Sequence, residues 1–119
     1  MTDFSLPKEI RLRKRAEYVT LSKQGKPIYS DYFLAIVRDR SNPQNRIGIT
    51  VSKKVGNAVA RNRIKRLIRE YFRHKKHSIP GTRDINIIAR KGLTSLSNRQ
   101  ITERLDKLFT KIALARKND

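Results

Sequence analysis

Arg61, Asn62, Lys65, Arg66, Arg69 and Arg73 recur in the middle of this chain at spacings that, at about 100° per residue, bring them together on one side of a helix. Arginine presents a planar fork of donors to phosphate oxygens and a flat face to exposed bases, and Asn62 adds both donor and acceptor capacity. The chemistry implied is capture of a polyanion. His74 and His77, three residues apart, share a helix face as an acid and base pair or a metal site would require. No third protein ligand of obvious origin accompanies them, and they stand at the basic end of a helix. Asp31, Asp39 and Asp84 are dispersed over strand ends and turns, without the close carboxylate pair that clamps two metal ions. A self-sufficient nuclease needs a local acid, base or metal constellation that these residues do not assemble.

The elements that must position the cationic face follow from periodicity. Ala60, Ile64, Leu67, Ile68 and Tyr71 recur at spacings of three and four and form an apolar side of the same helix, so one helix both docks and binds. Between Ser52 and Lys76 the chain carries ten basic residues against one acidic residue, Glu70. A solvated helix face would interleave Glu with Lys; this one does not. Asn57 is its expected N-cap after a tight turn at Gly56, and Pro80 with Gly81 bounds its end. Upstream, Ala16, Val19 and Leu21, with Tyr18 and Ser22 one helical turn apart, predict an amphipathic helix of about ten residues from near Arg13, stopped by Gly25 and Pro27.

Tyr32 to Arg38 and Arg46 to Ser52 read as strands. Because Asp39, Ser41, Asn42, Pro43 and Asn45 supply turn chemistry between them, an antiparallel hairpin with a longer loop is the expected pairing. Lys26 to Tyr29 adds a short edge strand. Asp84 to Arg90 is a further strand with Ile85, Ile87 and Ala89 on one face. A last helix runs from Asn98 to about Ala115, with Ser97 and Gln100 as a capping box and Ile101, Leu105, Leu108, Phe109 and Ile112 as its buried stripe.

A length of 119 residues suits one domain with one core, spanning residues 1–119, in which residues 1–10 are read as a mobile arm. Lys plus Arg number 29 and Asp plus Glu 10, a net charge of +19, and self-repulsion on that scale points to a nucleic-acid partner. The longest unbroken apolar run is Phe33 to Val37, so no membrane partner is expected. The N-terminus lacks the apolar stretch of a secretory signal, and cytoplasmic residence is the default expectation. The absence of cysteine removes disulfides, thiolate zinc sites and cysteine nucleophiles together.

The stretch from Arg46 to Phe72, RIGITVSKKVGNAVARNRIKRLIREYF, resembles the signature of the bacterial ribonuclease P protein subunit family, including its Arg-Asn-Arg motif at Arg61, Asn62 and Arg63. The signature, a strand, a turn and a basic helix over residues 46–76, is far more specific than a generic basic cluster. The resemblance extends over the chain from about Ile10 onward. It implies an α+β two-layer sandwich of order α-β-β-β-α-β-α, with a small central sheet and a left-handed β-α-β crossover through the basic helix, opposite to the usual hand.

The resemblance also implies a division of labour. A large catalytic RNA, using Mg2+, hydrolyses one phosphodiester of precursor tRNA, while the protein grips the single-stranded 5′ leader and supports the RNA's active geometry. No catalytic residue and no obligate protein partner are then expected in the chain. On this basis Lys53, Lys54, Asn57, Arg61, Asn62, Arg63, Lys65, Arg66 and Arg69 contact the catalytic RNA. The bland alternative for Lys53 and Lys54 is solubilising charge at a strand end. Gly48, Thr50 and Ser52, opposite Ile47, Ile49 and Val51, leave room for a guest strand of nucleic acid. In the family that groove lies between the sheet and the first helix and has aromatic walls. Tyr18 matches one aromatic position, whereas Ser22 and Ile36 stand at two others, so stacking is expected either to be weaker or to be supplied by Tyr32. The leader set is therefore Tyr18, Tyr32, Ile36 and Thr50, with core packing as the alternative for both tyrosines. A ribosomal or other structural RNA-binding protein is the competing function.

Overall fold

The computed structural model describes residues 11–12, 14–39, 45–75 and 83–115. The expected N-terminal arm, His77 and the stop at Pro80 lie outside them. Among the described residues the order is α1 (Arg15–Gln24), β1 (Lys26–Ser30), β2 (Phe33–Asp39), β3 (Arg46–Thr50), α2 (Ala58–Lys75), β4 (Arg83–Ala89), a 3-10 turn at Leu93–Ser95, and α3 (Asn98–Ala115). This is the mixed α+β order anticipated above. No helix among these residues is long and apolar enough to cross a membrane.

The four strands are ordered β1-β2-β4-β3. The expected hairpin between the strands at Phe33 and Arg46 does not form. β2 pairs antiparallel with β1 on one side and with β4 on the other, while β3 pairs parallel with β4. The physical reason is burial: six of the seven β4 residues are buried, so β4 takes an inner position and separates β2 from β3. A parallel β3–β4 pair then needs a long crossover, which α2 supplies.

Strand alternation gives the sheet two unlike faces. Phe33, Ala35, Val37, Ile47, Ile85, Ile87 and Ala89 point to one side and form a single core with Ile64, Ile68, Tyr71 and Phe72 of α2 and the Ile101, Leu105, Leu108, Phe109 and Ile112 stripe of α3. Both long helices are held by the predicted caps. The Asn57 Oδ1 accepts the Ala60 amide at 2.9 Å, and Ser97 and Gln100 exchange reciprocal bonds of 2.8 and 3.1 Å. The Tyr71 hydroxyl ties the helices together by donating to Asp106 Oδ1 at 2.6 Å.

The other face carries Arg38, Asp84 and Arg46 in one cross-strand row, Ile36, Asn86 and Gly48 in the next, and Leu34, Ile88 and Thr50 in a third. α1 lies on this face against β2 and β4. Its expected amphipathic stripe is corrected: Leu21 is buried, but Ala16 is exposed and Val19 is 40% exposed. A short helix on one margin of a sheet buries one narrow line of side chains, and here that line contains Leu21 and Tyr18. α1 ends where the Gly25 amide donates to the Leu21 carbonyl at 2.8 Å. Gly25 itself is extended (φ −83) and serves close approach, since a Cβ there would lie 2.6 Å from Ile36 Cγ2.

Candidate nucleic-acid interface

α1 is anchored by charge. Arg46 on β3 makes two bonds of 2.9 Å to the carboxylate of Asp84 on β4 and a third of 2.7 Å to Glu17 Oε2 on α1. Burial alone would weaken the Arg46 proton, but the two carboxylates outweigh it and push its pKa up. A fork geometry that engages two carboxylates at once pins the first turns of α1 to the sheet. Tyr18 follows Glu17, so this network sets where the Tyr18 ring lies.

The ring lies on β3 because residue 48 has no side chain. A Cβ on Gly48 would fall 2.6 Å from Tyr18 Cε1 and 2.7 Å from its hydroxyl oxygen, closer than any real side-chain contact. The Tyr18 hydroxyl donates to the Leu12 carbonyl at 3.2 Å. Burial raises the Tyr18 pKa, opposed by a hydrogen bond from the Ile49 backbone and the nearby charge of Arg69. The phenol therefore stays neutral at physiological pH and offers a ring face rather than a base.

Tyr18 lines a groove of about 300 Å³ with Arg11, Leu12, Ile47, Gly48, Ile49 and Arg69. Arg69 comes from α2, so the cationic helix contributes a wall to the groove. Two residues beyond Gly48 on the same strand face, Thr50 is exposed and donates to Asn86 Oδ1 at 3.1 Å. Ile36 lies on the same sheet face, half-buried under the end of α1 against Gly25. Tyr18, Ile36 and Thr50 thus lie on one face of the sheet, and Arg69 reaches the Tyr18 groove from α2.

Tyr32 does not join them, and its expected place in the groove is corrected. Ser30 opposes Phe33, leaving Asp31 and Tyr32 as a two-residue connection in which Tyr32 has φ 66. The turn carries its ring to the α3 side. There it lies against Gly92, with the Arg104 guanidinium 5.7 Å from the ring centroid, while Arg104 Nη1 also pairs with Asp31 at 3.4 Å.

On α2, Asn62 and Arg66 are exposed and Arg61, Lys65, Arg69 and Arg73 half-exposed, so the predicted cationic face looks outward. The Nε atoms of Arg61 and Arg73 have no hydrogen-bond partner among the described residues. Lys53 and Lys54 are exposed in the turn that precedes the helix. Asn57 is committed through its Oδ1 to the helix cap.

Arg63 stands apart. It donates to Asn98 Oδ1 at 2.9 Å and to the Leu96 carbonyl at 2.7 Å, bridging α2 to the start of α3, a role that motif spacing does not reveal. Arg63→Ala is expected to destabilise the protein by about 1.5 to 3 kcal/mol, the range for hydrogen bonds from a charged group. Asn62→Ala should stay within about 0.5 kcal/mol, as exposed substitutions do. Urea unfolding of the two variants checks the contrast. Among the described residues no group of three or more His, Asp or Glu side chains is placed to hold a metal ion.

Comparison with known proteins agrees with this architecture. The profile of the family described as Ribonuclease P matches residues 6–113. The ribonuclease P protein component of Desulforapulum autotrophicum is 51% identical over 112 residues, covering 94% of this chain and 96% of its own. That of Desulfatibacillum aliphaticivorans is 42% identical, covering 95% and 96%. Among solved structures, a Staphylococcus aureus RNase P protein mutant with defective mRNA degradation activity superposes with a TM-score of 0.82 at 36% identity, covering 87% of each chain. The RNase P protein of Thermotoga maritima gives 0.76 at 36% identity, covering 83% of this chain and 94% of its own. With the profile spanning nearly its whole length and relatives matched end to end, this chain belongs to the ribonuclease P protein family.

Proposed function

We propose that the chain is an electropositive adaptor of ribonuclease P, holding the 5′ leader of precursor tRNA in the Tyr18 groove and the catalytic RNA on the outer face of α2. The observation that carries this reading is Arg69, which belongs to the cationic side of α2 and also walls the groove. Two polyanions brought within one side chain of each other repel strongly, and a positive side chain between them relieves that repulsion. Arg61, Asn62, Lys65, Arg66 and Arg69 meet the phosphates and exposed bases of the catalytic RNA, joined by Lys53, Lys54 and Asn57 from the preceding turn. Arg63 orients the helix from behind. Tyr18 stacks a leader base, Thr50 borders the backbone path, and Ile36 backs the groove. Hydrolysis of the phosphodiester belongs to the RNA, with Mg2+ as its cofactor.

Reconstitution tests the reading. Adding the chain to catalytic RNA and precursor tRNA at low Mg2+ is expected to accelerate cleavage at the 5′ end, because protein charge substitutes for cation screening. Unaltered cleavage would favour a structural RNA-binding protein without part in the reaction.

A further inference from the structure

Tyr29 was not among the residues that motif or spacing singled out, yet it is 59% exposed. Of the exposed large apolar side chains among the described residues, Val19, Tyr29, Val59 and Leu114, it is the aromatic one. Register fixes the side on which it stands. Tyr29 opposes Leu34, Leu34 opposes Ile88, and Ile88 neighbours Thr50, so all four point to the α1 face of the sheet. Leu34 and Ile88 are only half-buried and lie outside the core that α2 and α3 cover.

This row is an open apolar floor across all four strands. It starts at Thr50, two residues beyond the Gly48 that seats Tyr18, and ends at Tyr29 on the outermost strand. Three interstrand spacings of about 4.8 Å put the two margins roughly 14 Å apart. A tyrosine at each end of a shallow apolar floor, in a protein of net charge +19, matches the recipe for single-stranded nucleic acid: ring faces for bases and positive charge for the backbone. Charge is present at the far margin too, where the Lys111 ammonium sits 2.9 Å from the Tyr29 carbonyl.

We propose that the RNA strand held under Tyr18 continues along the Leu34–Ile88 row and stacks a further base on Tyr29. Resting on the adaptor reading above, this gives the leader two aromatic contacts at opposite margins of the sheet. Tyr29 takes the place that Tyr32 cannot fill, because the turn carries Tyr32 to the other face.

The test measures precursor affinity of the reconstituted protein–RNA particle as the leader is lengthened one nucleotide at a time, in calcium to block cleavage. Wild-type affinity is expected to rise in two steps, the second when the leader reaches β1. Tyr29→Ala should abolish only the second step, about 5- to 150-fold, the worth of one stacked base, while Tyr29→Phe retains it. Equal affinity of wild type and Tyr29→Ala for long leaders would overturn the Tyr29 contact and leave the Tyr18 groove standing. Uniform loss for every substrate, including mature tRNA, would also overturn it. If the wild-type particle fails to distinguish leader-bearing from leaderless tRNA, the groove reading and this extension fall together.

Discussion

Reversing Arg66 and Arg69 to Glu together is expected to weaken binding of the catalytic RNA by at least about 100-fold at moderate salt, roughly 3 kcal/mol. The effect is large because each substitution removes a phosphate partner and sets a like charge in its place. Arg66 is exposed and Arg69 half-exposed, and neither belongs to the core formed with Ile64, Ile68 and Phe72, so the packing that holds the helix is kept. The variant should therefore retain its helical content by circular dichroism. Its binding should also depend less on salt, the slope of log K against log salt falling by about 2 for two lost phosphate contacts. Unchanged affinity would remove α2 from the interface.

The second large effect concerns Tyr18. Tyr18→Leu keeps an apolar side chain over Gly48 but loses the ring, and affinity for leader-bearing precursor should fall about 5- to 150-fold, equivalent to about 1 to 3 kcal/mol. Mature tRNA, lacking a leader, should bind as before, and Tyr18→Phe should retain most of the affinity. Gly48→Ala approaches the same point from the floor of the groove. Its Cβ would meet Tyr18 Cε1 at 2.6 Å, so the ring must move or the strand must bend. That variant is expected to lose leader affinity and also about 1 to 3 kcal/mol of stability through overpacking. Competition binding with leader-bearing and mature tRNA separates these outcomes.

The two long helices, α2 and α3, are readable from the sequence because their signals are local. Periods of three and four placed Ile64, Ile68 and the α3 stripe in the core, and Asn57, Ser97 and Gln100 cap as short-range rules require. Strand partnership was not readable. Alternation shows which side chains of a strand share a face, but not which strand lies beside it. The two-sided burial of β4, which excludes a β2–β3 hairpin, emerges only when the whole sheet is assembled.

The candidate site divides in the same way. The outward face of α2 and the small-residue floor at Gly48 and Thr50 follow from spacing. The Arg46–Asp84–Glu17 network and the Arg63 bridge join residues 29 or more positions apart, and no local pattern predicts them. The exchange of Tyr32 for Tyr29 turns on one connection. With Ser30 opposite Phe33, residue 32 enters a turn with positive φ and leaves the strand alternation, whereas residue 29 stays within it. The adjacent pair Ile28 and Tyr29, one inward and one outward, was the available signal.

The chain contains no cysteine, so a single reporter can be installed anywhere without interference. Attaching a hydroxyl-radical source to Thr50→Cys in one sample and to Asn62→Cys in another, each in the assembled particle with bound precursor, tests the adaptor account most directly. The account predicts that the probe at position 50 cuts the leader of the precursor and the probe at position 62 cuts the catalytic RNA. Cuts from both positions confined to the same RNA would contradict it.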